Sequence, residues 1–279
     1  MPELPEVETV KNELLPFVVG RRITGVTLAW EGIVKGPSVD EFCSRIIGQE
    51  IYAITRNGKY LFFHLSNQNF LLIHLKMTGS LIVSQDPPEP LKFVRAIIHL
   101  DNATNIYFRD PRKFGMMRLV KDATAIRDKL GPEPLEESFT PQLLAKRLAN
   151  RTAPIKAVLL DQKVIAGIGN MYADEVLYAA RINPWRTGGS LTRPEIQRLH
   201  QEIQRILWAA IENKGASVDT YFRPDGSEGS AHYQFKVAHG LGGKNCSICD
   251  GPIERVVVRN RGTYSVSYTH LTLPTILLV

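Results

Sequence analysis

The feature that most limits the fold is a change of hydrophobic period at the proline-rich segment LGPEPLEESFTP, residues 130–141. Before it, from about 22 to 120, apolar residues come in short runs. KYLFFHL (59–65) and FLLIHL (70–75) flank the polar SNQN, which is a hairpin signal. Further strands are expected at 93–100, 104–109 and 115–120. A helix over 5–18 precedes this block, with Val7, Val10 and Leu14 on one face and Gly20 as its stop. The block therefore reads as a β-sandwich or barrel with a helix in front. The three prolines of 130–141 mark a hinge. After them the period is helical, most clearly over 194–214. There Thr192 and Glu195 suggest a capping box, Ile196, Leu199, Ile203, Ile206 and Ala210 form a stripe, and Gly215 closes the helix. Residues 215–233 read as a mobile loop and 234–264 as a small hairpin around two cysteines.

Charge narrows the partners. Lys and Arg number 34 against 28 acidic residues, a net charge of +6, which suits a polyanion without demanding one. The apolar share of 44% excludes a disordered chain, and no run of 18 apolar residues suggests a membrane span. MPELPEVETV carries early acids and no basic-then-apolar segment, so no signal peptide is expected. The three cysteines, Cys43, Cys246 and Cys249, are an odd set with one C-x-x-C. That pattern points to a reducing compartment and a metal knuckle or a redox pair.

Chemistry is most legible at position 2. If Met1 is removed, the chain starts with the secondary amine of Pro2. An α-amine has a pKa of roughly 7.7–8.0, and the positive end of a helix beginning beside it pushes that value down. A neutral amine can add to a sugar C1′. Its adduct is an iminium, charged without a proton, which acidifies the sugar C2′ hydrogen and favours β-elimination. Glu3 could protonate a leaving base or ring oxygen, and Glu6, one turn on, could hold a water or relay a proton. The ordinary alternative is a proline and acids that merely suit a helix start.

MPELPEVET at the N-terminus resembles the formamidopyrimidine-DNA glycosylase family (Fpg, also called MutM). RNGKYL around Lys59, HLKMTGSL around Met77, YFRDPRKFG around Arg112, AGIGNMYADE around Asn170, and CSIC with RNRGTY follow in order. The sister endonuclease VIII family usually opens with Gly where this chain has Leu4, and prefers oxidised pyrimidines. The resemblance implies an α+β, multidomain fold. Its expected parts are an N-terminal β-sandwich catalytic domain (1–130), a helix-two-turn-helix domain with a lesion-recognition loop (131–233) and a zinc-finger-like hairpin (234–264). It implies a monomer acting on damaged double-stranded DNA held between the domains, with no membrane partner, in a bacterial cytoplasm at the nucleoid. The implied activity is excision of 8-oxoguanine and formamidopyrimidines followed by β,δ-elimination.

Site residues follow from the same motifs. Pro2 is the expected nucleophile and Glu3 the general acid, with Glu6 beside them. Lys59 would assist elimination and hold a phosphate, although a turn lysine is ordinarily just solvated. Arg261 would grip phosphate at the lesion. Met77, Arg112 and Phe114 look like the family's wedge, which fills the hole left by a flipped base; as isolated residues, Met77 and Phe114 would read as core. Asn170 reads as an N-cap at a helix start that also binds phosphate. Arg151 and Lys156 are candidates for further phosphate contacts, and His74 lies near the expected cleft. Ser217 and Tyr221, in the 215–233 loop, are candidates for reading the lesion.

Two departures stand out. The family closes with a four-cysteine zinc hairpin holding one structural ion. Here Cys246 and Cys249 supply one half, and the spacing places the other at Val266 and Thr269, neither a cysteine. Two thiolates cannot close a tetrahedral site, and His270 is a poor substitute. Residues 265–279 form an atypical tail, read as foreign to the native gene. If the tail is real, zinc should bind weakly and the hairpin bearing Arg261 should be loose. The second departure is Phe93, where many relatives place a DNA-touching histidine.

Overall fold

The computed structural model describes residues 1–218, 220–238 and 240–266. They form two compact units. One joins Met1–Lys129 with Ala210–Ala231, and the other joins Leu130–Ala209 with the described residues from His232 on.

In the first unit α1 (Leu4–Val18) leads into β1 (Arg21–Leu28), then α2 (Val39–Ile46) and seven further strands. These are β2 (Glu50–Asn57), β3 (Tyr60–Leu65), β4 (Phe70–His74), β5 (Ser80–Ser84), β6 (Val94–Leu100), β7 (Asn105–Arg109) and β8 (Met116–Val120). Neighbouring strands pair antiparallel, in the order β5-β7-β6-β1-β2-β3-β4-β8. β1 belongs to both halves. Arg21 and Arg22 pair with β2, while Ile23 to Leu28 pair with β6 across a register shift. A bulge bends a strand and increases its twist, so the sheet can turn there and face itself. The inward residues of both halves, among them Phe63, Ile73, Ile98 and Phe108, share one core with Val7, Val10 and Leu14 of α1. This is the expected sandwich with a helix laid on it. On the other face Phe62 and Leu72 pack with Ala123, just ahead of the short α3 (Thr124–Arg127).

α2 was not expected. Its sequence, VDEFCSRI, buries only Phe42 and Ile46, so a four-residue spacing is the whole of its apolar signal. Ser38 caps it by accepting a bond from the Glu41 amide, a local cue that a strand-rich context hides.

The second unit contains α4 (Pro141–Leu148), α5 (Ile155–Leu160), α6 (Asn170–Ala179), most of α7 (Arg193–Glu212) and the hairpin β9 (Ile253–Val258) and β10 (Arg261–Val266). The 130–141 segment is packed against this unit. Phe139 is buried, the Gly131 amide donates to Gln162 O, and the Pro132 and Pro134 carbonyls accept from Ala166 N and Gln204 Nε2. On α7 the buried stripe runs through Leu207, with Ile206 only half-buried, which corrects the expected face by one residue. Thr192 donates to Glu195 Oε2 at the helix start, and Gly215, at φ +77°, donates to Ala210 O at its end. The 210–231 segment packs with the first unit, whereas the sequence reading grouped its loop with the helices.

The hairpin lies after both cysteines, and its start is fixed by buried charge. Lys156 on α5 has no exposed surface. Its ammonium lies 2.7 Å from Asp174 Oδ1 and donates to Gly262 O and Thr263 Oγ1, each at 2.8 Å. Asp174 Oδ2 accepts from Tyr264 N at 3.1 Å. Burial pushes the Asp174 carboxyl up to about 6, against the downward pull of Lys156. A buried ion pair is far more costly to break than to replace. Lys156→Met should therefore destabilise this unit by about 3–5 kcal/mol in urea unfolding, and adding Asp174→Leu should recover part of the loss. A double variant no more stable than the single one would count against this.

Candidate active site

The N-terminal acids are held far more tightly than a helix start requires. Pro2 is buried beside a half-exposed Met1, and Glu3 and Glu6 are buried as well. Glu6 Oε2 accepts from Glu3 N at 2.7 Å and Oε1 accepts from Ala216 N at 2.8 Å. One carboxylate thus fixes both the residue beside Pro2 and the loop after α7. Gly215 makes this approach possible: a Cβ there would stand 2.9 Å from Glu6 Cγ, and its φ is positive. Once Met1 is removed, the Pro2 amine would sit just ahead of the positive end of α1.

Lys59 is not a solvated turn lysine. It is 7% exposed, after Gly58 in the turn between β2 and β3. Arg56 braces that turn, donating to Gly58 O and to Glu8 of α1. His74 lies on the neighbouring strand β4, paired with Tyr60, and the two rings are 4.5 Å apart. Burial, with the charges of Lys76 and Lys59, lowers the His74 pKa to about 3. The Lys76 amide donates to Nδ1 at 2.9 Å, so the proton of the neutral ring sits on Nε2.

The three wedge candidates project from two joined turns. Met77 is 41% and Phe114 48% exposed, and the Arg112 guanidinium stacks 4.8 Å over the Phe114 ring. Exposure of this size does not fit the core reading of Met77 and Phe114. Asp110, buried and absent from the sequence expectations, builds the frame. Its carboxylate accepts from the Thr78 hydroxyl in one turn, and from the amides of Arg112, Phe114 and Gly115 in the other. The available signal was the D-P step followed by Gly, a turn cue, but the partnership with Thr78 is not local.

The 215–233 loop uses its two singled-out side chains on itself. Ser217 Oγ donates to Tyr221 O and accepts from Gly229 N. Tyr221 is 4% exposed within the first unit's core and donates to Lys214 O. Tyr221 is thus a buried anchor and does not present its hydroxyl at a surface. Further ties come from Arg223, which pairs with Glu13, and from Pro224 O, which accepts from Val83 N.

In the second unit Asn170 and Arg261 converge. Asn170 is the first residue of α6, with Gly169 at the cap position, so the expected N-cap moves back by one. Its Nδ2 donates to Gly262 O at 3.0 Å, beside the exposed Arg261. Arg151 is exposed after α4. Lys156 differs from expectation: its ammonium is spent on Asp174 and the hairpin, with no surface left for a phosphate. Glu175, also missed, accepts from the amides of Lys236, Val237 and Ala238.

Among the described residues, the cysteines do not gather enough ligands around them for a zinc site. Cys246 is buried, its sulfur 3.1 Å from the Tyr178 hydroxyl, and Cys249 is half-buried. Among the described residues, no three His, Cys, Asp or Glu side chains gather where they could hold a metal ion. Thr269 and His270 lie outside the described residues. Also among the described residues, no helix is long and apolar enough to cross a membrane.

Residues 1–117 match the formamidopyrimidine-DNA glycosylase N-terminal domain, and residues 130–221 match the formamidopyrimidine-DNA glycosylase H2TH domain. The chain is 44% identical to the formamidopyrimidine-DNA glycosylase of Chloroflexus aurantiacus, covering 98% of this chain and 99% of that protein. It is 40% identical to the one from Geobacillus kaustophilus, over 95% of this chain and 97% of that protein. Among solved structures it resembles the MutM (Fpg) protein of Thermus thermophilus, with a TM-score of 0.86, 36% identity and 96% and 98% of the two chains covered. The Lactococcus lactis Fpg in complex with Fapy-dG-containing DNA gives a TM-score of 0.87 at 32% identity, over 95% and 98%. The two family domains together cover most of the chain, and the relatives are matched over nearly their whole length, so the chain belongs to the formamidopyrimidine-DNA glycosylase family.

Proposed function

We propose that this protein is a bifunctional DNA glycosylase and lyase that removes oxidised purines from duplex DNA through the amine of Pro2. The carrying observation is the buried Glu6 carboxylate, which fixes Glu3 and the 215–231 loop around the chain start. Family membership and the relatives solved with Fapy-dG and abasic-site DNA support the substrate class.

The amine lone pair adds to the sugar C1′ as the bond to the damaged base breaks, and Glu3 supplies the proton that the sugar or base takes up. Ring opening gives the iminium. Loss of the C2′ proton then expels the 3′ phosphate, and a second elimination expels the 5′ phosphate. Lys59 and the Nε2–H of His74 serve as phosphate-side donors near the sugar. Arg261 and Asn170 provide a second phosphate grip. Met77, Arg112 and Phe114 fill the vacated stack. Bacterial relatives favour a cytoplasmic setting at the nucleoid.

The hairpin that carries Arg261 is held without a metal ion in this reading, by Lys156 and Asp174, while Glu175 holds the segment at 236–238. The two sulfurs of Cys246 and Cys249 do not suffice for structural zinc.

Borohydride reduction during turnover of an 8-oxoguanine duplex should leave a covalent protein–DNA adduct at the N-terminal proline. A chain retaining Met1 should give none. An adduct that survives the retained Met1 would refute Pro2 as nucleophile, and faster excision of an oxidised pyrimidine would move the protein to the sister specificity. A chelator should leave DNA affinity unchanged, whereas stoichiometric zinc in the purified protein would defeat the metal-free hairpin.

His74 gives a pH test. Its folded pKa of about 3 lies below the unfolded value near 6.5, so its contribution to stability is full above about 6.5 and is lost as pH falls toward 3. NMR should find the ring unprotonated at pH 5. Stability should fall more between pH 7.5 and 5 in the parent than in His74→Gln; equal falls would contradict this.

A further inference from the structure

Arg109 is a charged side chain with no assigned role and an unusual environment. It ends β7, pairing with Ser80 at the start of β5 and with Val94 at the start of β6. The two wedge turns leave the sheet at this same end. Its guanidinium carbon lies over the rings of both Phe93 and Phe222, 5.2 Å from each centroid. Phe222 belongs to the loop that Glu6, Glu13 and Val83 tie to this unit.

The hydrogen bonding of this group is as unusual as its stacking. Its Nε is buried with no partner, and among the described residues no hydrogen bond or ion pair engages the remaining guanidinium nitrogens. Neighbouring Arg95 behaves conventionally, donating to the carbonyls of Lys92, Asp110 and Pro111. Stacking acts on the two faces of a guanidinium and leaves its in-plane N–H donors unused. Two rings on one cation therefore restrict its side-chain motion while its donors stay unspent. That is the arrangement a phosphate grip requires, since a preordered arginine loses less side-chain freedom on binding.

We propose that Arg109 is a further DNA contact, its doubly stacked guanidinium taking a backbone phosphate oxygen next to the wedge turns. Phe93 then has a function of its own: it stacks the cation that makes the contact. The proposal rests on the DNA-processing reading above. The competing role is a staple that joins the 215–231 loop to the sheet and touches no DNA.

Salt dependence separates the two. Equilibrium binding to a duplex with an abasic-site analogue is measured over a salt series for the parent, Arg109→Met, Arg109→Gln and Arg109→Lys. A phosphate contact contributes about 0.9 to the slope of log K against log salt on duplex DNA. Both neutral variants should lose about that much slope, with affinity reduced several-fold on every sequence, and Arg109→Lys should keep the slope. Circular dichroism establishes which variants fold, and the glutamine variant covers a failure of the methionine one. Neutral variants that keep the parental slope would overturn the contact and leave the staple. A parent that binds no duplex at any salt would sink the DNA reading itself, a distinct result.

Discussion

A carboxylate taken out of water must be met by donors, and that requirement shapes this protein at its most important point. Glu6 is wholly buried, and two backbone amides converge on it, that of Glu3 in its own turn and that of Ala216, 210 residues further along the chain. Ionised groups left unmatched in an interior are prohibitively expensive. The first turn of α1 and the loop after α7 are therefore not independent features that happen to be adjacent. Loss of the loop's conformation would strand the charge beside the chain start. Gly215 is part of the same arrangement, because any larger residue would push Glu6 away.

The same device recurs. Asp110 gathers a hydroxyl and three amides, and Glu175 gathers three amides at 236–238. Irregular segments of this chain are held by buried acids where packing alone could not define them. Asp174 and Lys156 extend the principle to an ion pair, and through Gly262 and Thr263 they set the start of β10. This accounts for a defined hairpin start, even though among the described residues the two sulfurs lack enough neighbouring ligands for a metal site.

Regular structure was largely legible in the sequence because periodicity is local. The leading helix, the β3–β4 hairpin, the sandwich and the long α7 all follow from spacing. The failures were where local signals are weak or the decisive partner is distant. α2 has only two buried residues to announce it, and Leu207 displaced Ile206 on α7 because both lie near the edge of the apolar stripe. Lys156 reads as a surface cation until Asp174 and the hairpin are set against it. Tyr221 reads as a reporter until the core around it is seen. Pro2, Glu3, Met77, Arg112 and Phe114 could be singled out because their motifs are contiguous strings. Glu175 and Arg109 act through distant residues, and Asp110 joins its own turn to Thr78, 32 positions earlier; no spacing rule reaches those partners.

Asp110 also has an implication for how the protruding tip could diversify. Its bonds to the second turn are made to main-chain amides, and only Thr78 contributes a side chain. The scaffold is thus indifferent to which groups stand at 77, 112 and 114. Those three positions can exchange size, aromaticity or charge while the platform beneath them keeps its shape, so probing shape and foundation are under separate selection.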